Sequence, residues 1–143
     1  MTTRPNPFAN FPKEREMFFA AQGPSLDLGF PDVCKTPAVP IPHIDIGLGL
    51  MAIPNVPNIF WSCMMAHNKK TKIPLTFGDT AGIGLGVRVP SVMGQSKKIT
   101  ASNTFLIKGS PATRVTSFTK QNRGNVNGIL ATPPQLTSVN LCA

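Results

Sequence analysis

Tyrosine is absent from this 143-residue chain, tryptophan occurs once, and acidic residues number 6 against 14 lysines and arginines. The formal net charge is +8 and the pI is about 10.0. Glu14, Glu16, Asp27, Asp32, Asp45, Asp79, His43 and His67 are the side chains suited to acid–base work near neutrality. Neither histidine stands in a nucleophile-and-orienter pattern, and no GxSxG, P-loop or paired-carboxylate arrangement occurs. The expectation is that the chain is not an enzyme, with a small metal-dependent hydrolase as the catalytic alternative.

Long hydrophobic runs are missing as well. The opening Met1 to Phe19 carries Arg4, Pro5, Pro7 and Pro12 and then Lys13-Glu14-Arg15-Glu16, where a signal peptide would need about 7–15 unbroken apolar residues. No window approaches the roughly 18 apolar residues of a membrane span. The expected location is the cytoplasm, unless a machine exports the chain. The odd set Cys34, Cys63 and Cys142 argues against a disulfide framework.

Proline and glycine are abundant, at 15 and 12 residues. Proline is near twice its usual share of about 5%, which excludes a helical bundle or coiled coil because its ring removes a donor and clashes inside helices. Residues 1–29 read as an extended N-terminal arm, with two helical turns expected over Glu14–Ala21. The densest prolines lie in residues 30–58, where Val39-Pro40-Ile41-Pro42 must be extended. Strands are expected at Ile59–Cys63, at Lys72–Phe77 and over Ile99–Ile107. The last alternates with period two and puts Ile99, Ala101, Phe105 and Ile107 on one face. These patterns predict an all-β domain of short hairpins over 30–143. An internal echo aligns 59–68 with 105–114, Ala66 over Ala112, as in folds built from pseudo-repeats.

Little of this carries chemistry. Gly82-Ile83-Gly84-Leu85-Gly86-Val87 fails the dinucleotide fingerprint at Val87 and reads as a flexible glycine-rich connection. Lys69-Lys70-Thr71-Lys72, Lys97-Lys98 and the looser Arg114, Lys120 and Arg123 lack aromatics arrayed for stacking, apart from Phe118. Solvated loops or an acidic protein partner are therefore preferred over nucleic acid, and a basic nucleic-acid-binding β-barrel is kept as the alternative function. Cys34, His43, Cys63, His67 and Cys142 are soft or borderline ligands of the kind zinc takes in fours. Their irregular spacing means that the fold would have to assemble any site; otherwise the cysteines are small buried hydrophobes and the histidines lie on loops.

Phe30-Pro31-Asp32-Val33-Cys34-Lys35-Thr36-Pro37, continuing into Pro40-Ile41-Pro42-His43, resembles the opening signature of the PAAR-like spike-tip family. Phe105 to Arg114 is similar to that family's name-giving Pro-Ala-Ala-Arg stretch, here Pro111-Ala112-Thr113-Arg114. Met51–Asn55 and Lys72–Gly82 also fit, and the likeness covers about residues 30–140. The resemblance implies a small cone of β-hairpins, one copy capping a homotrimeric, VgrG-type spike of a contractile injection apparatus such as a type VI secretion system. It implies membrane puncture with transient contact with the target membrane, delivery out of the cell at the tip, non-covalent effectors and no nucleic acid. It further implies zinc near the apex, for which the expected ligands here are Cys34, His43, His67 and Cys142, with Cys63 as substitute. Pro111–Arg114 is expected to be structural, with Ala112 closely packed and Arg114 paired to a carboxylate or to backbone carbonyls.

Overall fold

The computed structural model describes residues 16–54, 56–61, 63–132 and 140–141. Its strands are β1 (Glu16–Met17), β2 (Leu26–Lys35), β3 (Pro40–Leu48), β4 (Val56–Trp61), β5 (Met64–Ala66), β6 (Lys72–Ile73) and β7 (Thr76–Phe77). They continue with β8 (Ser96–Lys98), β9 (Leu106–Ile107), β10 (Ser110–Pro111), β11 (Phe118–Gln121), β12 (Val126–Thr132) and β13 (Asn140–Leu141). Two 3-10 turns, Gly49–Met51 and Asn122–Gly124, complete the elements, and no described helix is long and apolar enough to cross a membrane. The expected small, cone-shaped all-β domain is the fold found.

Seven antiparallel strands form the main sheet in the order β6-β8-β11-β12-β2-β3-β7. Its two edges, β6 and β7, are consecutive in sequence and joined only by Pro74 and Leu75. Three residue steps from Ile73 to Thr76 span at most about 11 Å, so the edges lie close and the sheet curls into a nearly closed barrel. Pro74 also explains why Lys72–Phe77 is not the single strand expected. It interrupts the run, so that β6 pairs with β8 and β7 with β3.

Many polar side chains share the barrel interior with Ile73 of β6 and Val126 and Leu130 of β12. Thr119 and Gln121 of β11, Ser96 and Lys98 of β8, Asp27 of β2, Asp45 of β3 and Thr76 of β7 are all buried. Gly128 of β12 makes room for one of them: a Cβ there would lie 2.4 Å from Nε2 of Gln121 and 2.3 Å from the Leu28 carbonyl oxygen. Lys98 Nζ makes a very short ion pair with Asp27 Oδ1, and Ser96 Oγ donates to Asp27 Oδ2 at 3.0 Å. Burial pushes the Lys98 ammonium below its ordinary pKa, and the Asp27 carboxylate opposes that shift.

Apolar packing is concentrated elsewhere, where the hairpins β4–β5 and β9–β10 meet. Phe19, Val56, Ala66, Ile107 and Ala112 form the buried cluster, with Ile59 and Trp61 against it. Phe19 stacks on Trp61 at 4.9 Å and 10°, and Phe105 tilts against both rings at 5.2 and 5.9 Å. Ala66 and Ala112, the residues that the sequence echo superimposes, are both fully buried in this cluster.

Four local expectations need correction. The two helical turns over Glu14–Ala21 are not formed among the described residues: Glu16–Met17 is a strand, and Phe19 and Ala21 bridge to Arg114 and Ala66. Phe19 to Ala21 are core, and β2 begins at Leu26, so the ordered body starts well before residue 30. Ile99–Ile107 is not one strand. The Ser102 hydroxyl accepts from the Phe105 N–H at 3.2 Å and closes a turn inside the alternating run, so of its four apolar residues Ile107 alone is buried. Ile59–Cys63 ends early, at Trp61, because Cys63 turns the chain with φ 66°.

The Lys98–Asp27 pair gives a direct test of the polar interior. Lys98→Met leaves a buried carboxylate uncompensated and is expected to cost about 3–5 kcal/mol in chemical denaturation. The Asp27→Leu/Lys98→Met double variant should recover most of that loss. A single variant within about 1 kcal/mol of wild type would show that the pair does not organise the barrel.

Candidate functional site

Asp32 and Cys34 sit two residues apart on β2 and therefore point to the same side, into the buried end of the barrel where both are fully enclosed. Asp79 follows Gly78 in the loop after β7 and is equally buried. Cys34 Sγ is 3.7 Å from Asp32 Oδ1 and 4.0 Å from Asp79 Oδ2. One ligand atom from each of Asp32, Cys34 and Asp79 lies within 4.8 Å of the others, so this group could hold a metal ion.

Two asparagines from the β11–β12 turn close over the group. Asn122 Nδ2 donates to Asp79 Oδ2 at 2.7 Å and Asp32 Oδ2 at 3.0 Å, and lies 3.0 Å from the Ser91 carbonyl oxygen and 4.0 Å from Cys34 Sγ. Its Oδ1 accepts from Gly94 N–H at 3.0 Å, which fixes the amide's orientation. Asn125 Nδ2 makes a very short hydrogen bond to Asp32 Oδ1 and donates to the Val33 carbonyl at 3.1 Å. Asn125 Oδ1 accepts from Arg88 and Val89 N–H at 2.9 and 3.0 Å. Asp79 in turn accepts from Met93 N–H at 3.1–3.2 Å, and Met93 is held at φ 52°, in the left-handed region that non-glycine residues rarely adopt.

The glycine-rich stretch is a fixed wall of this site, not the flexible connection expected. Gly84 N–H donates to the Lys35 carbonyl, Lys35 N–H to Leu85 and Val87 N–H to Val33, all at 2.9–3.0 Å. Gly82 is required by close approach, since a Cβ there would meet Cys34 Cβ at 2.4 Å.

Electrostatics in the pocket favour protons over negative charge. Burial, aided by the Asp32 and Asp79 charges, pushes the Cys34 thiol up to about 12, so it stays protonated near neutrality and is a poor nucleophile. Burial also raises Asp79, against the Met93 hydrogen bond. Asp45, on β3 opposite Gly29, is raised to about 7, chiefly by burial. Neither of its oxygens has a hydrogen-bond partner among the described residues; the nearby Thr76 hydroxyl donates to the Gly94 carbonyl instead.

The zinc ligands expected from sequence are not gathered in one place. Cys34 is in the pocket, and His43, the cross-strand partner of Asp32, lies close enough to act on Asp79 electrostatically, but its Nε2 is engaged with Thr36 Oγ1 at 3.0 Å. His67 is a core residue whose pKa burial lowers to about 3, with Lys98 adding to the effect, and its Nε2 is unpartnered among the described residues. Cys63 is exposed on the β4–β5 turn, and Cys142 lies outside the described residues. Asp32, Asp79, Asn122 and Asn125 were not singled out from sequence. The Asp-x-Cys spacing on a strand was the available signal; the asparagines are 88–93 positions away from it.

Pro111–Arg114 ties the pieces together through its backbone. Ala112 is fully buried and bridges Asn68, Thr113 accepts from Ala20 N–H at 2.9 Å, and Arg114 bridges Phe19. The Arg114 backbone N–H donates to Ser117 Oγ at 3.1 Å and its carbonyl accepts from Ser117 N–H at 3.0 Å. Its guanidinium makes no ion pair with a carboxylate among the described residues.

Comparison with known families adds the deciding observation: the model of the toxin PAAR-like domain matches residues 25–128. The chain belongs to the PAAR-like family. The match starts one residue before β2 and takes in the whole Asp32–Cys34–Asp79–Asn122–Asn125 pocket. No curated protein and no solved structure matches the PAAR-like chain.

Asp45 gives the pocket a pH signature. Its folded pKa of about 7 exceeds the ordinary 3.8, so it contributes stability below pH 3.8 that is lost as pH rises through about 7. Asp45→Asn removes this titration and should gain stability relative to wild type on going from pH 4 to pH 8. Parallel denaturation curves across that range would refute the assignment.

Proposed function

We propose that this PAAR-like chain is the tip of a contractile injection apparatus, one copy capping a homotrimeric VgrG-type spike. Membership of the family is the observation that carries this reading. Physical support comes from the construction: a short-stranded barrel with fifteen prolines in the chain and a long loop pinned by buried hydrogen bonds is stiff and has little to unfold locally. The role is mechanical and not enzymatic. The chain would be assembled in the cytoplasm, carried out at the tip to puncture a membrane, and would take effectors non-covalently.

Zinc belongs to the same question. Asp32, Cys34 and Asp79 supply oxygen and sulfur donors that suit it, but a closed zinc site needs four ligands, and the Asn122 amide nitrogen stands between the two carboxylates. We propose that hydrogen bonds from Asn122 and Asn125 hold this pocket in place of an ion. Elemental analysis of chain purified without chelator should give clearly substoichiometric zinc; close to one per chain would mean that an ion displaces Asn122.

The tip role is tested by native mass spectrometry of the full chain mixed with the trimeric spike protein of the same cell. One chain per trimer is expected. Three chains per trimer, or no complex while the spike trimer stays intact, would overturn it.

A further inference from the structure

The outer face of the barrel inverts the usual arrangement. An apolar row runs across it in register: Phe118 of β11 opposite Ile129 of β12, Ile129 opposite Leu28 of β2, Leu28 opposite Ile46 of β3, and Ile46 opposite Phe77 of β7. Ile99 extends the row beyond β8, its N–H bonded to the Phe118 carbonyl. Phe118 is 57% exposed, Ile99 43% and Leu28 40%, Ile46 and Phe77 are half-buried, and the positions between them on the same strands face the interior.

A row of lysines runs beside it, two residues along the same strands. Lys72 of β6 lies opposite Lys97 of β8, and Lys97 opposite Lys120 of β11. Like charges directly across a sheet repel, and among the described side chains no exposed carboxylate is at hand to relieve them. Asp27, Asp32, Asp45 and Asp79 are all buried, and they are the only acidic residues whose side chains are described.

We propose that this face binds an anionic lipid surface, with the lysine row on phosphate headgroups and the apolar row in the outer acyl region. The choice of occupant follows from charge and shape. A described surface with cations and no exposed carboxylate calls for an anionic partner. Four of the six apolar residues are aliphatic Ile or Leu, which gain from acyl chains but offer bases nothing to stack on. The exposed part of the row, Ile99, Phe118, Ile129 and Leu28, belongs to the neighbouring strands β8, β11, β12 and β2, one convex side of the barrel that a fluid interface can meet. Lysines beside phenylalanines on one face are the chemistry of interfacial binding, salt-sensitive through the charges and salt-resistant through the apolar contacts. The inference stands apart from the spike reading, since it concerns the free chain and its own outer face.

The test is co-sedimentation of the full chain with phosphatidylcholine vesicles, with and without about 30% phosphatidylglycerol. Binding to the anionic vesicles is expected to be at least about tenfold tighter, with a residue persisting at about 1 M salt. Lys97→Gln/Lys120→Gln should weaken it roughly tenfold, whereas Arg88→Gln/Lys108→Gln, with the same loss of charge at exposed positions outside the main sheet, should change it less than about threefold. Phe118→Thr should abolish the salt-resistant part without lowering the melting temperature. Equal binding to both vesicles, or equal losses in the two lysine variants, would overturn the proposal in favour of net charge alone. A single-stranded oligonucleotide whose binding needs Lys97 and Lys120 when vesicle binding does not would give the face to nucleic acid. Sedimentation as a dimer that Phe118→Thr converts to monomer would give it to a second copy.

Discussion

One amide nitrogen, Nδ2 of Asn122, holds together three parts of the chain that are far apart in sequence. It donates to Asp32 on β2 and to Asp79 after β7, and sits within hydrogen-bond distance of the Ser91 carbonyl in the long loop. Asn125 repeats the device on the other side of Asp32 and adds Arg88 and Val89. Buried carboxylates are costly unless their lone pairs are filled; here the side-chain amide donors come from one turn whose Asn122 and Arg123 have φ of 43° and 54°, and Met93 N–H adds to Asp79. The strained turn and the buried acids therefore stabilise each other, because neither is tolerable without its partner.

That arrangement explains why the barrel is polar inside. A small, nearly closed sheet leaves room for side chains but not for a large apolar core, and the apolar cluster of Phe19, Val56, Ala66, Ile107 and Ala112 lies instead where two hairpins meet. With Asp27 paired to Lys98 and Asp32 and Asp79 bonded to asparagines, directional contacts cross-link an interior that also holds Ile73, Val126 and Leu130. Such contacts have steep geometric tolerance, which favours one rigid arrangement of the barrel. Burying the acids also leaves the described surface cationic, so interior and exterior are set by the same choice of residues.

Much of the fold class was legible in advance. Proline density, glycine-marked turns and alternating runs excluded helices, and the Phe30–Pro37 and Phe105–Arg114 segments carried the family resemblance, since local motifs survive in a linear reading. Which face of a strand is interior was not legible. Alternation has period two whichever side is buried, so Phe118, Ile129 and Leu28 look like core residues although they face outward. The pocket was half legible: Cys34 was singled out, but its partners depend on contacts over 43 to 93 residues that no spacing rule reports. His67 is a buried neutral core histidine, which looks the same in sequence as a metal-binding one.

The Asn122 amide locks the loop from Gly78 to Gln95 onto the barrel. Native-state hydrogen exchange at the Met93 and Gly94 amides tests it most directly, because these N–H groups donate to Asp79 and to Asn122 itself. The account predicts that both amides exchange only through global unfolding, with protection equal to that of Thr119 and Gly128 in the central strands. Exchange at the rate of an ordinary surface loop, while those strands stay protected, would contradict it.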